Sequence, residues 1–359
     1  MKKMIYVMHV NWNWIKQRPH FIAEKLSEEY DVTIFYPHVY KRKGLQKRGK
    51  ENFNTKRYYW IPKIDKFKLL RHINPIVKYK KLKKIINFEE AEYLFLTFPD
   101  QVDSIPTDFK GKLLYDCMDN HIEFISDTVE KSIMESRERR LIDKSNKVLV
   151  SSVELKNVLI RRYGVGVEEK IYLVRNGYSG DILSIEELNS QNKVQKNNFV
   201  ISYFGTISHW FNFEFIEKSL SEIENLEYDL IGPSEVEIPK IDRLNYKGTI
   251  EHHNLYEVTK NSNCYIMPFE LNPIIESVDP VKLYEYINFN KNILTIRYNE
   301  IERFDSFVHF YTDYESFIEQ IRALMATDRP KYSISDREIF LSNNRWDDRV
   351  QQIIKILES

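Results

Sequence analysis

The chain has 359 residues, of which 53 are basic and 53 acidic, so its formal net charge is zero. Hydrophobic residues make up 42% of the chain and aromatic residues 14%, which excludes a disordered protein and allows two domains with sizeable cores. The two cysteines, Cys117 and Cys264, exclude a disulfide framework and lack partners at zinc-ligand spacing. No apolar run reaches the about 18 residues of a membrane span, and the apolar start is typical of a core strand rather than a signal peptide. We therefore expect a soluble, cytoplasmic protein.

The zero net charge conceals an uneven distribution of charge along the chain. Residues 1–183 carry 35 basic and 24 acidic side chains, a net charge of +11, whereas residues 184–359 carry 18 and 29, a net charge of −11. Segment 41–84 alone holds 17 basic residues and two acidic ones, with aromatic residues between them. This basic segment is either a solvated face or a patch that meets an anionic surface or substrate.

Short apolar runs rich in β-branched and aromatic residues alternate with helical patterns through the first half of the chain. The predicted strands are 5–10, 32–36, 93–98, 113–115, 148–151 and 171–174, and the predicted helices are 19–29, 73–87, 129–144 and 153–163. This alternation indicates βαβ units and a parallel sheet in a domain over 1–183. The polar stretch 184–198 has no apolar period and is typical of a linker.

The alternation starts again after the linker. The predicted strands are 199–204, 228–231, 246–247, 264–267 and 293–295, and the predicted helices are 213–223 and 281–289. These elements indicate a second doubly wound domain over 199–335. Residues 336–359 have one apolar side that includes Trp346, which predicts a terminal helix. The predicted fold class is therefore α/β, with two successive doubly wound domains.

Open parallel sheets bind ligands beyond the carboxyl ends of their strands, so the residues after each predicted strand are the candidates for a site. The sequence contains no dinucleotide fingerprint, P-loop or nucleophile elbow. His252 and His253 lack a nearby ligand pair, which favours a surface position over a metal site. Four strand-end segments remain.

The first of these segments follows the first strand and leads into a helix. Pro19 suits the first helical turn, and Arg18 can fork onto a phosphate or a carboxylate beside the free N–H groups of the helix start. The segment is either a functional loop or a loop packed by its tryptophans. On the functional reading, its candidate acceptor-binding or phosphate-binding residues are Trp14, Gln17, Arg18 and His20.

The second segment places two carboxylates and an imidazole directly after a strand. These are Asp116, Asp119 and His121. Such a set can supply a general base or orient a hydroxyl nucleophile, and Asp119 is the first candidate. One of the carboxylates could instead cap the next helix, because Asp favours that position.

The third and fourth segments belong to the second domain. The third joins a glycine and two hydroxyl residues at a helix start, Gly205, Thr206 and Ser208, which form either an anion cradle or an ordinary turn. In the fourth, Asp279 suits an N-cap and Pro280 the first helical position. Lys282 then lies beside the positive end of the helix dipole, which is unfavourable unless an anion binds there.

Glu285 lies on the same helical face as Lys282 and can accept hydrogen bonds from a pair of sugar hydroxyls. We interpret the fourth segment as a nucleotide site, with phosphate on the helix start and Lys282, and ribose on Glu285. The alternative is an exposed pair between these two side chains.

Taken in order, these motifs resemble the two-Rossmann-domain (GT-B) glycosyltransferases, most of all the bacterial teichuronic-acid and exopolysaccharide group. The resemblance runs from end to end through Trp14…Gln17-Arg18-Pro19, Tyr115-Asp116-Cys117-Met118-Asp119, Ser151-Ser152…Leu155, Asn176-Gly177, Tyr203-Phe204-Gly205-Thr206-Ile207-Ser208…Trp210, Ile231-Gly232-Pro233, Pro268-Phe269 and Asp279-Pro280-Val281-Lys282-Leu283-Tyr284-Glu285-Tyr286. It implies two Rossmann-like domains that face a central cleft, with the last helix crossing back to the first domain.

The resemblance also implies a reaction, the transfer of a sugar from a nucleotide sugar to a hydroxyl without a cofactor or an essential metal. The donor would bind the second domain, with Glu285 on the ribose and Lys282 and the 205–208 loop on the diphosphate. The base contacts would come from Gly232, Pro233, Pro268 and Phe269. The first domain would hold the acceptor and, around residues 116–121, the catalytic groups.

The sequence departs from the family pattern in its paired glutamates, in the absence of the usual Arg and Lys after the 205–210 loop, and in a first loop without a glycine pair. Retaining members usually carry two glutamates separated by seven residues. Glu285 fits the second position, but the first falls on Ser277, with Glu276 one residue away. Asp119 or Asp116 as a base would mean inversion, whereas front-face retention would need no base, so both outcomes stay open.

The leading hypothesis is a glycosyltransferase, with a UDP-sugar as the expected donor, whose acceptor is a lipid-linked or growing cell-surface glycan. Segment 41–84 would then meet the anionic inner face of the cell membrane, and nucleic acid is not expected as a partner. One alternative is a sugar-nucleotide epimerase of the same fold. Another is a module without enzymatic activity that uses segment 41–84 to bind an anionic polymer such as single-stranded nucleic acid.

Overall fold

A computed structural model of the protein describes residues 1–38, 53–61, 73–189, 198–327 and 329–359. The chain divides into two compact units, Met1–Asn176 with Trp346–Ser359, and Gly177–Arg345. Each unit is built around its own parallel sheet, as the alternation of apolar runs and helical patterns predicts.

The strands of both sheets are short and mostly buried. In the first unit they are β1 (Lys3–Val7), β2 (Asp31–His38), β3 (Asn54–Tyr59), β4 (Tyr93–Leu96), β5 (Lys112–Cys117), β6 (Lys147–Val150) and β7 (Ile171–Leu173). In the second unit they are β8 (Phe199–Phe204), β9 (Leu226–Ile231), β10 (Leu244–Tyr246), β11 (Cys264–Met267), β12 (Asn292–Ile296) and β13 (His309–Tyr311). The strand orders are β3-β2-β1-β4-β5-β6-β7 and β10-β9-β8-β11-β12-β13.

The helices are α1 (Arg18–Leu26), α2 (Ile73–Glu89), α3 (Thr128–Lys144), α4 (Val153–Tyr163), α5 (Ile185–Asn189), α6 (Phe213–Glu222), α7 (Leu255–Thr259), α8 (Pro273–Glu276), α9 (Val281–Asn288), α10 (Tyr314–Met325), α11 (Ile334–Ser342) and α12 (Trp346–Glu358). None of the helices in the described part of the chain has both the length and the apolar composition needed to cross a membrane.

Helices cover both faces of the first sheet, which explains why its central strands are apolar on both sides. Side chains alternate between the faces of a strand, so Met4 and Tyr6 of β1 pack in one core cluster and Ile5 and Val7 in another. The first cluster includes residues of α1 and α12, and the second includes residues of α2, α3 and α4. In the second unit, one continuous cluster contains residues of all six strands.

The terminal helix α12 belongs to the first unit, where the Trp346 ring stacks on that of Phe21 of α1 with the ring centroids 5.2 Å apart. Lys25 of α1 also pairs with Asp347 at 2.7 Å. The predicted return of the last helix to the first domain is therefore confirmed. The predicted single helix over 336–359, however, is wrong, because α11 and α12 are separate helices in different units.

The predicted domain boundaries at residues 183 and 336 also differ from the observed division. Residues 177–183 belong to the second unit, because Tyr178 packs in its core and accepts a hydrogen bond from Asn288 Nδ2 at 2.7 Å. Arg337 of α11 is fully buried in the same unit, where its Nη1 donates to the Asn288 carbonyl oxygen at 2.7 Å. The predicted linker 184–198 begins with α5, and its residues 190–197 lie outside the described residues.

Strand β3 is the main element of the first sheet that the sequence pattern does not predict. It lies at the sheet edge beside β2, and only Tyr58 of its six residues is buried. Edge strands commonly carry charged and polar side chains because their outer side meets solvent, which removes the apolar signal. The strand lies within the basic segment 41–84, of which residues 41–52 and 62–72 lie outside the described residues.

Candidate active site

In the first unit, Arg18 and Asp116 form a buried ion pair at the carboxyl end of the sheet. Arg18 starts α1, and Asp116 is the penultimate residue of β5. The guanidinium donates through Nε to both carboxylate oxygens, at 3.1 and 2.9 Å, and through Nη2 to Oδ1 at 2.8 Å. Its Nη1 donates to Asn176 Oδ1 at 3.2 Å. The guanidinium of Arg18, predicted to bind a phosphate or a carboxylate, therefore binds a carboxylate of the protein itself. Asp116 is held inside the domain by this pair.

The other candidate residues of the first loop also bond within the loop. His20 is fully buried; its Nδ1 accepts from the Gln17 backbone N–H at 3.2 Å, and its Nε2 donates to the Asn11 carbonyl at 3.2 Å. The Trp14 backbone N–H donates to the same carbonyl at 2.9 Å. The structure thus brings the four candidates together, with His20 as a residue that holds the loop and Gln17 exposed.

Asp119 is the carboxylate of the second segment that reaches the protein surface. It is half-buried, three residues beyond Asp116. Burial raises the pKa of its carboxyl to about 7, the charge of Arg18 opposes that shift, and the charge of Asp116 adds to it. A carboxyl with a pKa near neutrality can both take up and release a proton at physiological pH, which suits a general base.

His121 lies beside Asp119 as a neutral imidazole. Burial and the nearby His9 lower its pKa to about 3. Its Nε2 is buried and has no hydrogen-bond partner in the described part of the chain. Its ring lies 4.7 Å from the ring of Phe98 and 5.7 Å from that of His9, measured between centroids. His121 can therefore offer a polar ring nitrogen to a ligand without adding charge to the site.

A buried carboxylate behind the sheet holds the loop that carries Asp119. Glu138 of α3 is 1% exposed and accepts from the hydroxyls of Tyr115 at 2.8 Å and Tyr163 at 2.7 Å. Arg162 donates to Glu138 Oε2 at 3.3 Å and to Asn120 Oδ1 at 3.0 Å. Sequence reasoning missed this support because Glu138 lies in the middle of a helix, where no strand end marks it.

In the second unit, two glycines and a lysine meet at the ends of β8 and β9. A Cβ on Gly232 would lie 2.0 Å from the Gly205 carbonyl oxygen, and a Cβ on Gly205 would lie 2.0 Å from Lys282 Cε. Both glycines have positive φ, +132° and +141°, which disfavours other residues. The sequence-predicted loop, strand end and helix start therefore form one site.

The Lys282 ammonium group is partly desolvated at this site. Burial lowers its pKa below the usual range for lysine, and the charge of Glu285 opposes that shift. Its Nζ lies 5.7 Å from the centre of the Tyr203 ring. Over the described ranges, no side chain forms a hydrogen bond or ion pair with this ammonium. Such a cation beside the start of α9 is arranged to receive an anion.

Glu285 forms its hydrogen bond with a histidine. Its side chain is 19% exposed, and its Oε1 lies 2.5 Å from His252 Nε2. The hydrogen bond to Glu285 raises the pKa of His252, and burial opposes that shift. His252 is exposed, as the sequence predicts, but its bond to Glu285 is not predicted, because nothing in the sequence links two residues 33 positions apart.

The remaining candidates of the second unit lie just after the ends of β8, β9 and β11. Thr206 is half-buried, and its carbonyl accepts from the Tyr203 hydroxyl at 2.7 Å. Ser208 is buried and donates to Glu235 Oε2 at 2.7 Å. Phe269 packs in the domain core, with its ring centroid 6.0 Å from that of Tyr203. The other three candidates are Gly232 and Pro268, which are buried, and Pro233, which is exposed.

Helix α9 begins at Val281, as the pattern over 281–289 predicts, whereas Pro280, predicted as the first helical residue, directly precedes the helix. Pro280 is buried at the N-cap position, and it has no side chain that could cap the helix. Asp279, which the sequence suggests as the cap, is buried and pairs with Arg303 Nη2 at 2.5 Å. The N-cap residue therefore makes no side-chain hydrogen bond to the first backbone N–H groups of this helix. Over the described residues, no three His, Cys, Asp or Glu side chains cluster as a metal site would require, and metal independence stays a prediction.

No protein-family model matches the sequence. Among curated proteins, the chain is similar to the "Putative teichuronic acid biosynthesis glycosyltransferase TuaH" of Bacillus subtilis, at 20% identity over 198 residues. That match covers 51% of this chain and 50% of the relative, so the chain spans about half the length of the curated relative that it matches.

Solved structures are similar over the whole chain. Sucrose-phosphate synthase from Thermosynechococcus elongatus matches with a TM-score of 0.77 at 11% identity, covering 100% of this chain and 98% of that one. HepE of Anabaena, in complex with UDP, matches with a TM-score of 0.71 at 12% identity, covering 100% of both chains. The lipopolysaccharide outer core galactosyltransferase WaaB matches with a TM-score of 0.66 at 10% identity, covering 98% and 99%. These likenesses confirm the GT-B fold.

The raised pKa of Asp119 has a consequence for stability. The folded protein holds this proton up to about pH 7, whereas the unfolded chain loses it near pH 4, so stability falls as the pH rises between these values. The variant Asp119→Asn cannot ionise and avoids that loss. The predicted quantity is the melting temperature of Asp119→Asn minus that of the unmodified protein. We expect this difference to be larger at pH 8 than at pH 5, by about 2–4 °C or more.

Thermal unfolding at the two pH values measures this difference. Glu169→Gln, at an exposed position of the same domain, corrects for the loss of one acidic charge. An Asp119→Asn effect of equal size at both pH values would contradict the raised pKa.

Proposed function

We propose that the chain is a glycosyltransferase that moves a sugar from a nucleotide sugar, with a UDP-sugar as the expected donor, to a hydroxyl of a lipid-linked or growing cell-surface glycan. The observation that carries this proposal is the Lys282 ammonium, which lies against Gly205 beside the start of α9. Its charge has no ion-pair partner among the described residues, so the site favours a ligand that brings negative charge.

A nucleoside diphosphate is the anion that the fold supports best. The HepE structures that cover the whole of this chain are described in complexes with UDP and with UDP-glucose, and TuaH is named as a glycosyltransferase. In this chain the diphosphate would bind at the start of α9, with Lys282 as its cation. We propose a reaction without an essential metal, because this ammonium and the helix dipole supply positive charge where the leaving phosphate gains negative charge.

Glu285 is the proposed partner of the ribose. It lies three residues after Lys282 in α9, so one helical face carries a cation and then a carboxylate. A diphosphate bound at the helix start would direct the nucleoside along this face. The ribose hydroxyls are donors, and a carboxylate accepts hydrogen bonds without donating any.

Asp119 is the proposed general base. As the acceptor hydroxyl oxygen bonds to the anomeric carbon of the donor sugar, the carboxylate takes the hydroxyl proton, and the bond to the nucleoside diphosphate breaks. Its pKa of about 7 provides the basic form at neutral pH. This route inverts the anomeric configuration, whereas front-face retention would pass the proton to the leaving phosphate and would need no carboxylate.

The acceptor class rests on the relative and on the basic segment. TuaH is named for teichuronic acid biosynthesis, and we propose that segment 41–84 meets the anionic inner face of the cell membrane, where a lipid-linked acceptor would lie. Four lysines in the described part of the segment are exposed: Lys56, Lys80, Lys81 and Lys84. Each basic residue near an anionic leaflet contributes about 1 kcal/mol to membrane binding.

Replacement of Lys282 tests the diphosphate site. We expect Lys282→Met to raise the dissociation constant for UDP by roughly 10- to 100-fold, because a hydrogen bond to a charged group contributes about 1.5–3 kcal/mol. Uridine, which lacks the diphosphate, should bind equally to both proteins. Titration calorimetry measures both ligands, with Lys218→Met on α6 as the control for loss of a lysine. An unchanged UDP constant would refute the site.

The pH profile tests the base. We expect kcat/KM for sugar transfer to rise with pH and level off above an inflection near pH 7, because only the ionised Asp119 accepts the proton. Asp119→Asn should lower kcat by about 100-fold or more, with an unchanged dissociation constant for UDP. A variant that keeps most of the activity would exclude this base and favour front-face retention.

Membrane binding tests the basic segment. We expect the triple variant of Lys56, Lys80 and Lys84 to glutamine to bind vesicles with 30% phosphatidylserine about 100-fold more weakly, because three charges at about 1 kcal/mol each amount to about 3 kcal/mol. Neither protein should bind vesicles of phosphatidylcholine alone. A matched variant of Lys218, Lys240 and Lys260 in the second unit controls for net charge. Equal binding of the two triple variants would contradict membrane docking through this segment.

A further inference from the structure

A histidine outside the predicted site bonds to the proposed ribose carboxylate. His252 lies in a short helical turn, His252–Asn254, after β10, and its Nε2 is 2.5 Å from Glu285 Oε1. The turn begins four residues after Gly248, whose carbonyl accepts the Gly232 N–H at 2.8 Å. The segment that carries His252 is therefore anchored to the same glycine that packs on Gly205.

The bond between His252 and Glu285 uses one oxygen of the carboxylate and leaves the other for a ligand. Glu285 has two oxygens, and the imidazole N–H occupies one of them, Oε1. Burial leaves 19% of the Glu285 side chain exposed, so the remaining oxygen has a restricted set of directions from which a donor can approach. A carboxylate free to rotate would lose conformational entropy on binding a hydroxyl, and one already held by a neighbour would lose less.

We propose that His252 is a positioning residue of the donor site, which holds the Glu285 carboxylate so that its other oxygen accepts from a ribose hydroxyl. This inference rests on the proposed function, because it assigns the bound hydroxyl to a nucleoside diphosphate. It makes the site selective for nucleotides with intact ribose hydroxyls, since only these donate to the oriented oxygen. His252 and the adjacent His253 are both exposed, but His252 is the one that bonds to Glu285.

The test compares UDP with 2′,3′-dideoxy-UDP as ligands of the full-length protein. We expect His252→Ala to raise the dissociation constant for UDP about two- to fivefold, the size appropriate to a partly exposed pair. The constant for dideoxy-UDP should be unchanged, because that ligand has no ribose hydroxyl to donate. His253→Ala should bind both ligands as the unmodified protein does, and His252→Gln, which keeps an N–H donor, should restore UDP binding.

A double-mutant cycle separates positioning from a general effect on the fold. In the Glu285→Gln background, His252→Ala should have no further effect on UDP binding. Tighter UDP binding by His252→Ala would overturn the inference, because it would mean that the imidazole competes with the ribose. Unchanged UDP binding, or an equal loss for dideoxy-UDP, would overturn it as well. If the unmodified protein bound no UDP, the proposed function would fail and this inference with it.

Discussion

The second domain depends on a contact between two glycines at neighbouring strand ends. Gly232 approaches the Gly205 carbonyl so closely that a methyl group on it would lie 2.0 Å from that oxygen. The contact brings the loop after β8 under the Lys282 side chain, and the Gly232 N–H fixes the segment after β10 through Gly248. Three separate stretches of sequence are thereby assembled around one ammonium group. The proposed anion site therefore depends on backbone packing as well as on its charged residue.

In the first domain, the surroundings of two nearby carboxylates give them different chemistry. Asp116 is enclosed by the guanidinium of Arg18, and breaking such a buried pair would leave an uncompensated charge. The charge of Arg18 lowers the pKa of Asp119, three residues later, but burial has the larger effect and raises that pKa to about 7. Two nearby carboxylates thus have different surroundings, an ion pair around Asp116 and a site that raises the pKa of Asp119, and such differences are known from enzymes with paired acids.

Much of the fold follows from the sequence because it rests on local patterns. Strands β1, β4, β5 and β8 are buried on both faces, and strands of this kind appear in a sequence as nearly continuous runs of apolar residues. Edge strand β3 has one buried side chain among six and leaves no such pattern. The division at residues 177 and 345 depends on the long-range bonds of Tyr178 and Arg337, which no local pattern reveals.

The candidate site also has parts that the sequence predicts and parts that it does not. Lys282 and Glu285 share one helix, so their spacing places them on one face, and the conflict of a lysine with the helix dipole is visible in the sequence. The pairing of Arg18 with Asp116 joins residues 98 positions apart, and that of His252 with Glu285 joins residues 33 apart. Sequence reasoning finds such residues as candidates but not their partners, because partner choice is decided by tertiary packing.

The first domain is built from both ends of the chain, with α12 packed on α1 through Trp346 and Phe21. During synthesis its sheet is complete long before its last helix exists, because the whole second domain, Gly177–Arg345, is made in between. At translation rates of about 5–20 residues per second, synthesis of the second domain takes roughly 10–30 s. During that time the apolar surface of α1 is not yet covered by α12. The nascent first domain therefore passes through a stage in which it exposes an apolar surface that the finished protein does not show.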